Sequence, residues 1–201
     1  MENIIFDFGN VLVRWEPQQV FLPYFGGDEA KYWFFWRHVC DATFRDRIDA
    51  GEDSHLVISQ KQKQYPEYAE AIDMYMSRWE ESLPGEMPGM YDLVQELKAN
   101  PDYSLYGLTN WSMETFPQAR AKFPVLQLID RYVVSGDIGV VKPNPRIFQT
   151  LLDRYGLQAS ECLFIDDNPD NVKGAQDLGL HGILFQGAES LRKELELLYG
   201  S

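Results

Sequence analysis

Acidic side chains follow two apolar stretches that lie far apart in the chain. Asp7 comes directly after the apolar residues 4–6, and the pair Asp166-Asp167 comes directly after residues 162–165. A carboxylate at the end of a buried strand can act as a nucleophile. Several carboxylates that converge on one crevice repel one another unless a cation neutralises them. Hard oxygen ligands with room for water and an anion suit Mg²⁺, so the pattern is typical of a magnesium site.

Two further polar positions lie between these acidic ones. The pair Thr109-Asn110 follows the apolar residues 105–108 and offers a hydroxyl and backbone N–H groups at the start of a helix. Such a helix start favours a bound anion. Lys142 is followed by Pro143 and Pro145, whose rings stiffen the backbone and would hold the ammonium group in one place.

Each of these positions also has an ordinary structural interpretation. An aspartate after a strand is commonly a turn residue or a helix cap, and Asn168 or Asp167 would cap a helix that begins at Pro169 well. Thr109 is equally suited to an N-cap, and a single lysine such as Lys142 is usually solvated. Taken one at a time, these residues leave the choice between structure and chemistry open.

The elements that must position these residues alternate between strands and helices. The sequence predicts strands at residues 4–6, 105–108, 131–134, 162–165 and 182–185, and helices at residues 113–122, 145–155, 169–178 and 190–198. Near-continuous apolar strands that alternate with helices indicate an α/β fold with a doubly wound parallel sheet. Ligands bind outside the carboxyl ends of the strands in such sheets, so all the polar positions would face one crevice.

A helical segment interrupts this alternation after the first strand. Helical periodicity is present at residues 28–44, 54–65 and 67–79, with breaks at Gly26-Gly27, Ala50-Gly51 and Pro84-Gly85. We therefore expect an α/β core domain of residues 1–16 and 86–201 and an inserted small helical domain of residues 17–85. Four side chains near the junction are candidates for contact with a substrate, although a core tryptophan and solvated arginines are the simpler interpretation: Trp15, Arg45, Arg47 and Glu52.

Composition narrows the classes of function. The 201 residues are 45% hydrophobic and 14% aromatic, and the net charge is −13. This charge argues against general binding to nucleic acid or to an anionic membrane, and no stretch approaches the roughly 18 apolar residues of a membrane span. The start of the chain lacks a secretory signal, and Cys40 and Cys162 form no metal or disulfide pattern. We expect a soluble cytoplasmic protein.

The joint order of the polar positions is more specific than any one of them. Strand–Asp7, strand–Thr109, Lys142-Pro143 and strand–Asp166-Asp167 follow one another in the sequence. This order resembles the four motifs of the haloacid dehalogenase superfamily, and the match covers residues 4–12, 105–112, 135–148 and 163–179. The helical segment is similar to the helical cap that this superfamily carries between its first and second motifs.

The resemblance implies a phosphatase that acts on a small phosphorylated metabolite. Asp7 would attack phosphorus and form an aspartyl-phosphate, which water then hydrolyses. Mg²⁺ would be held by Asp7, the backbone carbonyl of Gly9 and Asp167, with Asp166 behind them or joined through water. The phosphoryl group would be bound by Asn10, Thr109, Asn110 and Lys142, and Lys142 would also offset charge beside Asp7.

One position departs from the usual first motif of this superfamily. The motif has a second aspartate two residues after the nucleophile, which serves as general acid and base, whereas this chain has Gly9. Loss of a positioned acid typically costs about 10²–10⁴-fold in rate. The form Asp7-Phe8-Gly9-Asn10-Val11 resembles the branch that contains bacterial α-glucose-1-phosphate phosphatases, whose anomeric leaving group needs less protonation than an ordinary alcohol.

Three other functions remain open from the sequence. A dehalogenase would share Asp7 but attack carbon without a metal, which leaves Asp166-Asp167 unexplained. A phosphomutase must move protons for two sugar hydroxyls, which Gly9 disfavours. A binding or regulatory protein that keeps the fold would have no need of Asp7, Thr109 and Lys142 together.

Overall fold

The computed structural model describes residues 2–200, and a single parallel sheet organises them. Its five strands are β1 (Glu2–Phe6), β2 (Tyr103–Thr109), β3 (Tyr132–Val134), β4 (Cys162–Asp166) and β5 (His181–Leu184). Their spatial order is β3-β2-β1-β4-β5. β1 is central and pairs in parallel with β2 on one side and with β4 on the other. The carboxyl ends of β1, β2 and β4 therefore lie side by side.

The first part of the chain between β1 and β2 folds into helices with an apolar cluster of their own. This cluster includes Phe21, Phe35, Phe44, Ile58 and Ile72. The helices are α1 (Gln18–Tyr24), α2 (Glu29–Phe34, continued by a π-helical turn at Phe35–Val39), α3 (Ala42–Asp49), α4 (Ser54–Gln64) and α5 (Ala69–Ser77). Short 3₁₀ turns occur at Pro66–Tyr68 and Trp79–Ser82.

The remaining helices cover both faces of the sheet. They are α6 (Met90–Ala99), α7 (Phe116–Lys122), α8 (Pro124–Gln127), α9 (Ser135–Ile138), α10 (Pro145–Tyr155), α11 (Pro169–Asp177) and α12 (Ala188–Tyr199). Side chains alternate along β1, so Ile4 and Phe6 enter one apolar cluster and Ile5 enters another. The cluster around Ile4 includes residues of α6, α7 and α12, and the cluster around Ile5 includes residues of α10 and α11. The predicted doubly wound α/β fold is confirmed.

The two chain segments that enter and leave the helical part run beside each other. Glu16 N–H donates to the Ser82 carbonyl oxygen at 2.7 Å, and Arg14 N–H donates to the Gly85 carbonyl oxygen at 2.9 Å. The helical part is therefore connected to the sheet through two chain segments that are hydrogen-bonded side by side.

Some element boundaries differ from those predicted. The single helix expected at residues 28–44 is wrong, because the chain breaks at Cys40 and α3 starts afresh. The Asp41 carboxylate accepts a hydrogen bond from Phe44 N–H at 2.8 Å and so caps this new helix. Apolar periodicity continues across the break, so it gave no sign of it. α7 begins at Phe116 rather than at Met113, and the sequence patterns did not predict α1 and α6.

Within residues 2–200, no helix combines the length and the apolar character that crossing a membrane requires. Cys40 and Cys162 are both buried and unbonded to each other.

Candidate active site

The carboxyl ends of the three middle strands bring together residues that are far apart in sequence. Asp7 follows β1, Thr109 ends β2 and Asp166 ends β4. Lys142 reaches this point from the loop between α9 and α10. Its ammonium group lies 2.8 Å from Asp7 Oδ1, 2.7 Å from Asp166 Oδ2 and 2.8 Å from the Leu108 carbonyl oxygen. All three N–H donors of Lys142 are thus used to join the three strand ends.

Asn110 fixes the loop that carries Lys142. Its side-chain Oδ1 accepts from Lys142 N–H at 2.7 Å, and its Nδ2 donates to the Lys142 carbonyl oxygen at 3.1 Å. This reciprocal pair binds the lysine backbone to the end of β2. The Asn110 side chain therefore positions Lys142, and phosphate binding by Asn110 stays a prediction.

Asp166 is fully buried and its carboxylate oxygens already have protein partners. Oδ1 accepts from Asn168 N–H at 2.8 Å, and the Asn171 side-chain amide lies 3.1 Å from both oxygens. With Lys142 on Oδ2, little of the carboxylate remains for another ligand. Sequence reasoning missed Asn171 as a site residue, although its place in the first turn of α11, five residues after Asp166, was the available signal.

Three carboxylates converge here around a single ammonium group. Oxygens of Asp7, Asp166 and Asp167 all lie within 4.8 Å of one another. Burial raises the pKa of Asp7 to about 7, with Lys142 opposing this shift and Asp166 and Asp167 adding to it. Burial and the neighbouring Asp166 also raise the pKa of Asp167. A hard divalent cation would relieve this excess of negative charge, and the exposed Asp167 leaves room for water ligands, so the donor set fits Mg²⁺.

Thr109 contributes a buried hydroxyl group to the site. Within residues 2–200 its Oγ1 is buried and has no hydrogen-bond partner. Leaving a buried hydroxyl unpaired costs about 1–3 kcal/mol. A phosphate oxygen would satisfy this hydroxyl beside the carboxylates and Lys142.

Asn10 shapes the turn after β1. Its φ is 54°, its N–H donates to the Val13 carbonyl oxygen at 2.7 Å and its Oδ1 accepts from Trp15 N–H at 2.9 Å. Its Nδ2 lies 3.2 Å from Asp167 Oδ2. These groups are engaged within the protein, and phosphate binding by Asn10 stays a prediction. At Gly9 an added Cβ would meet no atom within 4 Å.

A cavity of about 290 Å³ lies between the strand ends and the helical part. Asp7, Lys142 and Asp167 line it from the sheet side, together with Trp15, which precedes the helices. The helical part contributes Arg45, Asp46, Ile48, Asp49, Tyr75, Met76, Trp79, Ser82 and Leu83. Of the four side chains expected near a substrate, Trp15 and Arg45 reach this cavity. Arg47 and Glu52 instead form an exposed ion pair, with 2.6 Å between Arg47 Nη2 and Glu52 Oε2.

The helical part contacts the sheet side around the end of α3. Ser135 Oγ donates to the Asp49 carbonyl oxygen at 2.5 Å and accepts from Trp111 N–H at 2.9 Å. Ser54 N–H and Oγ donate to the Glu114 carboxylate at 3.0 and 2.6 Å. A Cβ added at Gly51 would lie 2.4 Å from the Gly136 carbonyl oxygen. We call these contacts between residues 49–54 and residues 111–136 the seam, and it closes one side of the cavity.

Comparison with known proteins agrees with the geometry. A family model described as haloacid dehalogenase-like hydrolase matches residues 1–179. The chain belongs to the haloacid dehalogenase-like hydrolases. The expected superfamily is therefore confirmed, and Asp7, Asp166 and Asp167 lie within the matched range.

Relatives in this family include proteins with phosphatase names. The chain is 31% identical over 109 residues to the flavin mononucleotide hydrolase 1 of Arabidopsis thaliana, and the match covers 54% of this chain and 44% of that protein. It is 30% identical over 111 residues to the sesquiterpene phosphatase astK of Aspergillus oryzae, and the match covers 55% of this chain and 56% of that protein. The chain thus spans about half the length of each of these relatives.

Solved structures of the family share the fold over nearly the whole chain. A HAD-like hydrolase from Porphyromonas gingivalis aligns with a TM-score of 0.72 at 21% identity, covering 99% of this chain and 98% of that one. A HAD family enzyme from Bacteroides thetaiotaomicron, in complex with magnesium and inorganic phosphate, aligns with a TM-score of 0.69 at 20% identity, covering 94% and 96%.

Proposed function

We propose that this chain hydrolyses a small phosphate monoester with Mg²⁺ as its cofactor. The observation that carries this proposal is the unpaired, buried Thr109 hydroxyl beside three converging carboxylates and Lys142. The free hydroxyl suits a phosphate oxygen, the positive charge of the ammonium group would offset phosphate charge nearby, and the carboxylates suit a divalent cation. The phosphatase relatives and the magnesium–phosphate complex of the Bacteroides thetaiotaomicron enzyme support the same chemistry.

Asp7 is the proposed nucleophile. One carboxylate oxygen is held by Lys142, which leaves the other free to attack phosphorus and form an aspartyl-phosphate. Lys142 then lies beside the charge that develops on the transferring group. Thr109 Oγ1 and the backbone N–H of Asn110 are the proposed donors to the phosphoryl oxygens, with Asn10 bordering them.

Asp7, the Gly9 carbonyl oxygen and Asp167 are the proposed ligands of Mg²⁺, whose bound charge would neutralise the phosphoryl oxygens. Asp166 acts behind them, because its oxygens already accept from Lys142, Asn168 and Asn171. Its task in this proposal is to hold Lys142 and the loop before α11 in place.

We further propose that residues 17–85 form a cap over a core of residues 1–16 and 86–201. The separate apolar cluster of the helical part and its narrow connection support this division. The cavity between the two parts would then hold the organic portion of the substrate.

The proposed substrate class is a sugar 1-phosphate. The first motif has the form found in the α-glucose-1-phosphate phosphatase branch, and a cavity of about 290 Å³ suits a small molecule. Asp46, Tyr75 and Trp79, whose side chains carry carboxylate, phenol and indole groups, are among the residues that line that cavity. Such groups bind hydroxyl groups and the apolar faces of sugar rings.

Phosphate release from a panel of substrates, with Mg²⁺ or with excess chelator, tests this function. The panel contains glucose 1-phosphate, glucose 6-phosphate and p-nitrophenyl phosphate, and chloride release from 2-chloropropionate is followed in parallel. We expect phosphate release that requires Mg²⁺. Full activity in chelator, or chloride release without metal, would support a dehalogenase instead.

A further inference from the structure

The proposed phosphatase lacks a proton donor next to Asp7. Gly9 has no side chain, so the leaving-group oxygen finds no acid on β1 or its following turn. In phosphoryl transfer the attacking and leaving oxygens are roughly in line. Because Asp7 lies just after the carboxyl end of β1, the leaving oxygen must point away from β1 and towards the helical part. A donor is therefore needed on the opposite wall of the cavity.

Asp49 occupies that wall. It is the last residue of α3 and lines the cavity together with Asp7 and Lys142. Its backbone carbonyl oxygen is held by Ser135 Oγ at 2.5 Å. Its carboxyl group faces the backbone N–H of Ser112, three residues after Thr109. The backbone of Asp49 is thus fixed against the start of α9, and its side chain against the loop after β2 that begins with Asn110.

The surroundings of Asp49 favour a proton on its carboxyl group. Within residues 2–200, no lysine, arginine or histidine forms an ion pair with it. The nearby Arg45 instead donates Nη1 to the carbonyl oxygens of Trp36 and Cys40 and stacks on the Trp36 ring. Burial raises the pKa of Asp49 to about 7 and the charge of Asp46 adds to this shift, while the charge of Arg45 and the hydrogen bond from Ser112 N–H oppose it. Such a value suits an acid that works near neutral pH.

We propose that Asp49 is the general acid and base of this site, supplied by the helical part in place of a side chain at position 9. This inference rests on the proposed phosphatase function. It also makes the closed seam between Asp49 and the 111–136 region a condition for full activity, because Asp49 acts only when α3 lies over the strand ends.

The proton balance is complete with water alone. In the first step an oxygen of Asp7 bonds to phosphorus while the bond from phosphorus to the leaving oxygen breaks, and that oxygen takes the proton of Asp49. In the second step the Asp49 carboxylate removes a proton from water as the water oxygen bonds to phosphorus. The bond between Asp7 and phosphorus then breaks, which releases phosphate and restores both residues.

The test compares the effect of Asp49→Asn on two leaving groups. For glucose 6-phosphate, whose alcohol needs a proton, we expect kcat/KM to fall about 10²–10⁴-fold. For p-nitrophenyl phosphate, whose phenolate leaves without one, we expect a fall of less than about 10-fold. Asparagine keeps an acceptor oxygen for Ser112 N–H, so the seam should persist. An equal effect on both substrates would overturn the role of Asp49.

Three further variants make the test specific. Asp46→Asn removes a carboxylate from the same helix and cavity, and it should change kcat/KM by a similar factor for both substrates. Tyr75→Phe should do the same, and a leaving-group difference in either variant but not in Asp49→Asn would transfer the acid role to that residue. At Gly9 an added Cβ would meet no atom within 4 Å, and Gly9→Asp combined with Asp49→Asn should restore at least about 10-fold of the lost activity on glucose 6-phosphate.

The control for the underlying function is the wild-type enzyme on p-nitrophenyl phosphate. No Mg²⁺-dependent release of phosphate from either substrate would overturn the phosphatase proposal and this inference with it. Release that proceeds normally but shows no leaving-group difference in Asp49→Asn would overturn the Asp49 proposal alone.

Discussion

At the scale of single residues, Lys142 supplies the positive charge that pairs with the carboxyl groups at the strand ends. Burial alone would lower the pKa of its ammonium group, but Asp166 and Asp7 outweigh burial and raise it. The lysine is therefore charged, and its ammonium group lies between the two buried carboxyl groups of Asp7 and Asp166. Each partner depends on the others, because an unpaired buried charge is strongly unfavourable.

Replacing Lys142 with methionine should destabilise the fold by about 3–5 kcal/mol, because Asp7 and Asp166 would lose their cation. Urea denaturation measures the change in the free energy of unfolding. Lys173→Met is the matched control, since Lys173 makes an exposed ion pair with Asp177, which is worth under about 1 kcal/mol. Similar effects of the two substitutions would contradict a central electrostatic role for Lys142.

Asp7→Asn should abolish turnover of p-nitrophenyl phosphate while the protein remains folded, because the amide keeps the side-chain size and loses the attacking charge. Circular dichroism checks the fold, and aluminium fluoride with Mg²⁺ should form a stable adduct with the wild type. Substantial turnover by the variant, with no such adduct in the wild type, would exclude Asp7 as nucleophile.

Sequence reasoning located most residues of the candidate site for one reason. Asp7, Thr109 and Asp166 all lie at the ends of neighbouring parallel strands, so the fold class alone brings them together. Asn171 and Asp49 were missed, because their relation to the site arises from how a helix turn or an inserted helix packs. No local pattern marks Asp49, which looks like an ordinary helix-terminal residue.

At the scale of elements, the end of α3 and the loop after it determine how the helical part lies over the sheet. Asp49, Gly51 and Ser54 contact residues of the 111–136 region within a stretch of six positions. The broken helix at Cys40 belongs to the same arrangement, because the Asp41 cap starts α3 as a new helix after the break. The periodic pattern over residues 28–44 predicted helix correctly at most positions, but it continues across the break at Cys40 and so does not reveal it.

Gly51→Ala should destabilise this seam and raise KM. Gly51 has a φ of +87°, and its added Cβ would lie 2.4 Å from the Gly136 carbonyl oxygen. Gly27→Ala is the matched control, because Gly27 has a φ of +81° but no atom within 4 Å of the added Cβ. Both variants should lose about 1–2 kcal/mol of folding stability, because alanine is unfavourable in a left-handed backbone conformation. The further loss, and the increase of KM for p-nitrophenyl phosphate, should appear only in Gly51→Ala.

The pH dependence of stability should show the burial of Asp49. Its pKa is about 7 in the folded protein against 3.8 for the free group, so the folded state binds this proton more tightly than the unfolded state. The contribution of Asp49 to the free energy of unfolding therefore falls as the pH rises from about 4 to about 7. The groups that face Asp49 are Arg45, Asp46 and Tyr75.

Asp49→Asn removes this penalty and should stabilise the protein at pH 8 by an amount on the order of 2 kcal/mol. Denaturation at pH 8 and pH 5 measures the difference, which should shrink at the lower pH. Asp153→Asn, at an exposed position of α10, serves as the control. Lower stability of Asp49→Asn at pH 8 would indicate that Asp49 only fastens the two parts together.

At the scale of the whole molecule, a negative chain of net charge −13 carries a dense group of carboxylates at the centre of its sheet. Mg²⁺ should therefore stabilise the entire fold, by about 2.7 kcal/mol at a concentration 100-fold above its Kd. For a domain of this size that is a rise in Tm of about 5–10 °C. Asp167→Asn should remove most of this rise, whereas Asp177→Asn on the exposed side of α11 should keep it. An equal rise in both variants would place the ion elsewhere.

The paired segments that join the helical part to the sheet have a consequence for the order of folding. Glu2 pairs with Tyr103 across the whole insertion, and closing so long a flexible loop is entropically unfavourable. Once the helices have formed and Glu16 has joined Ser82, the flexible chain between β1 and β2 shortens to roughly a third, and loop closure becomes easier by about 1 kcal/mol. Early folding of the helices would therefore speed the pairing of the central strands β1 and β2.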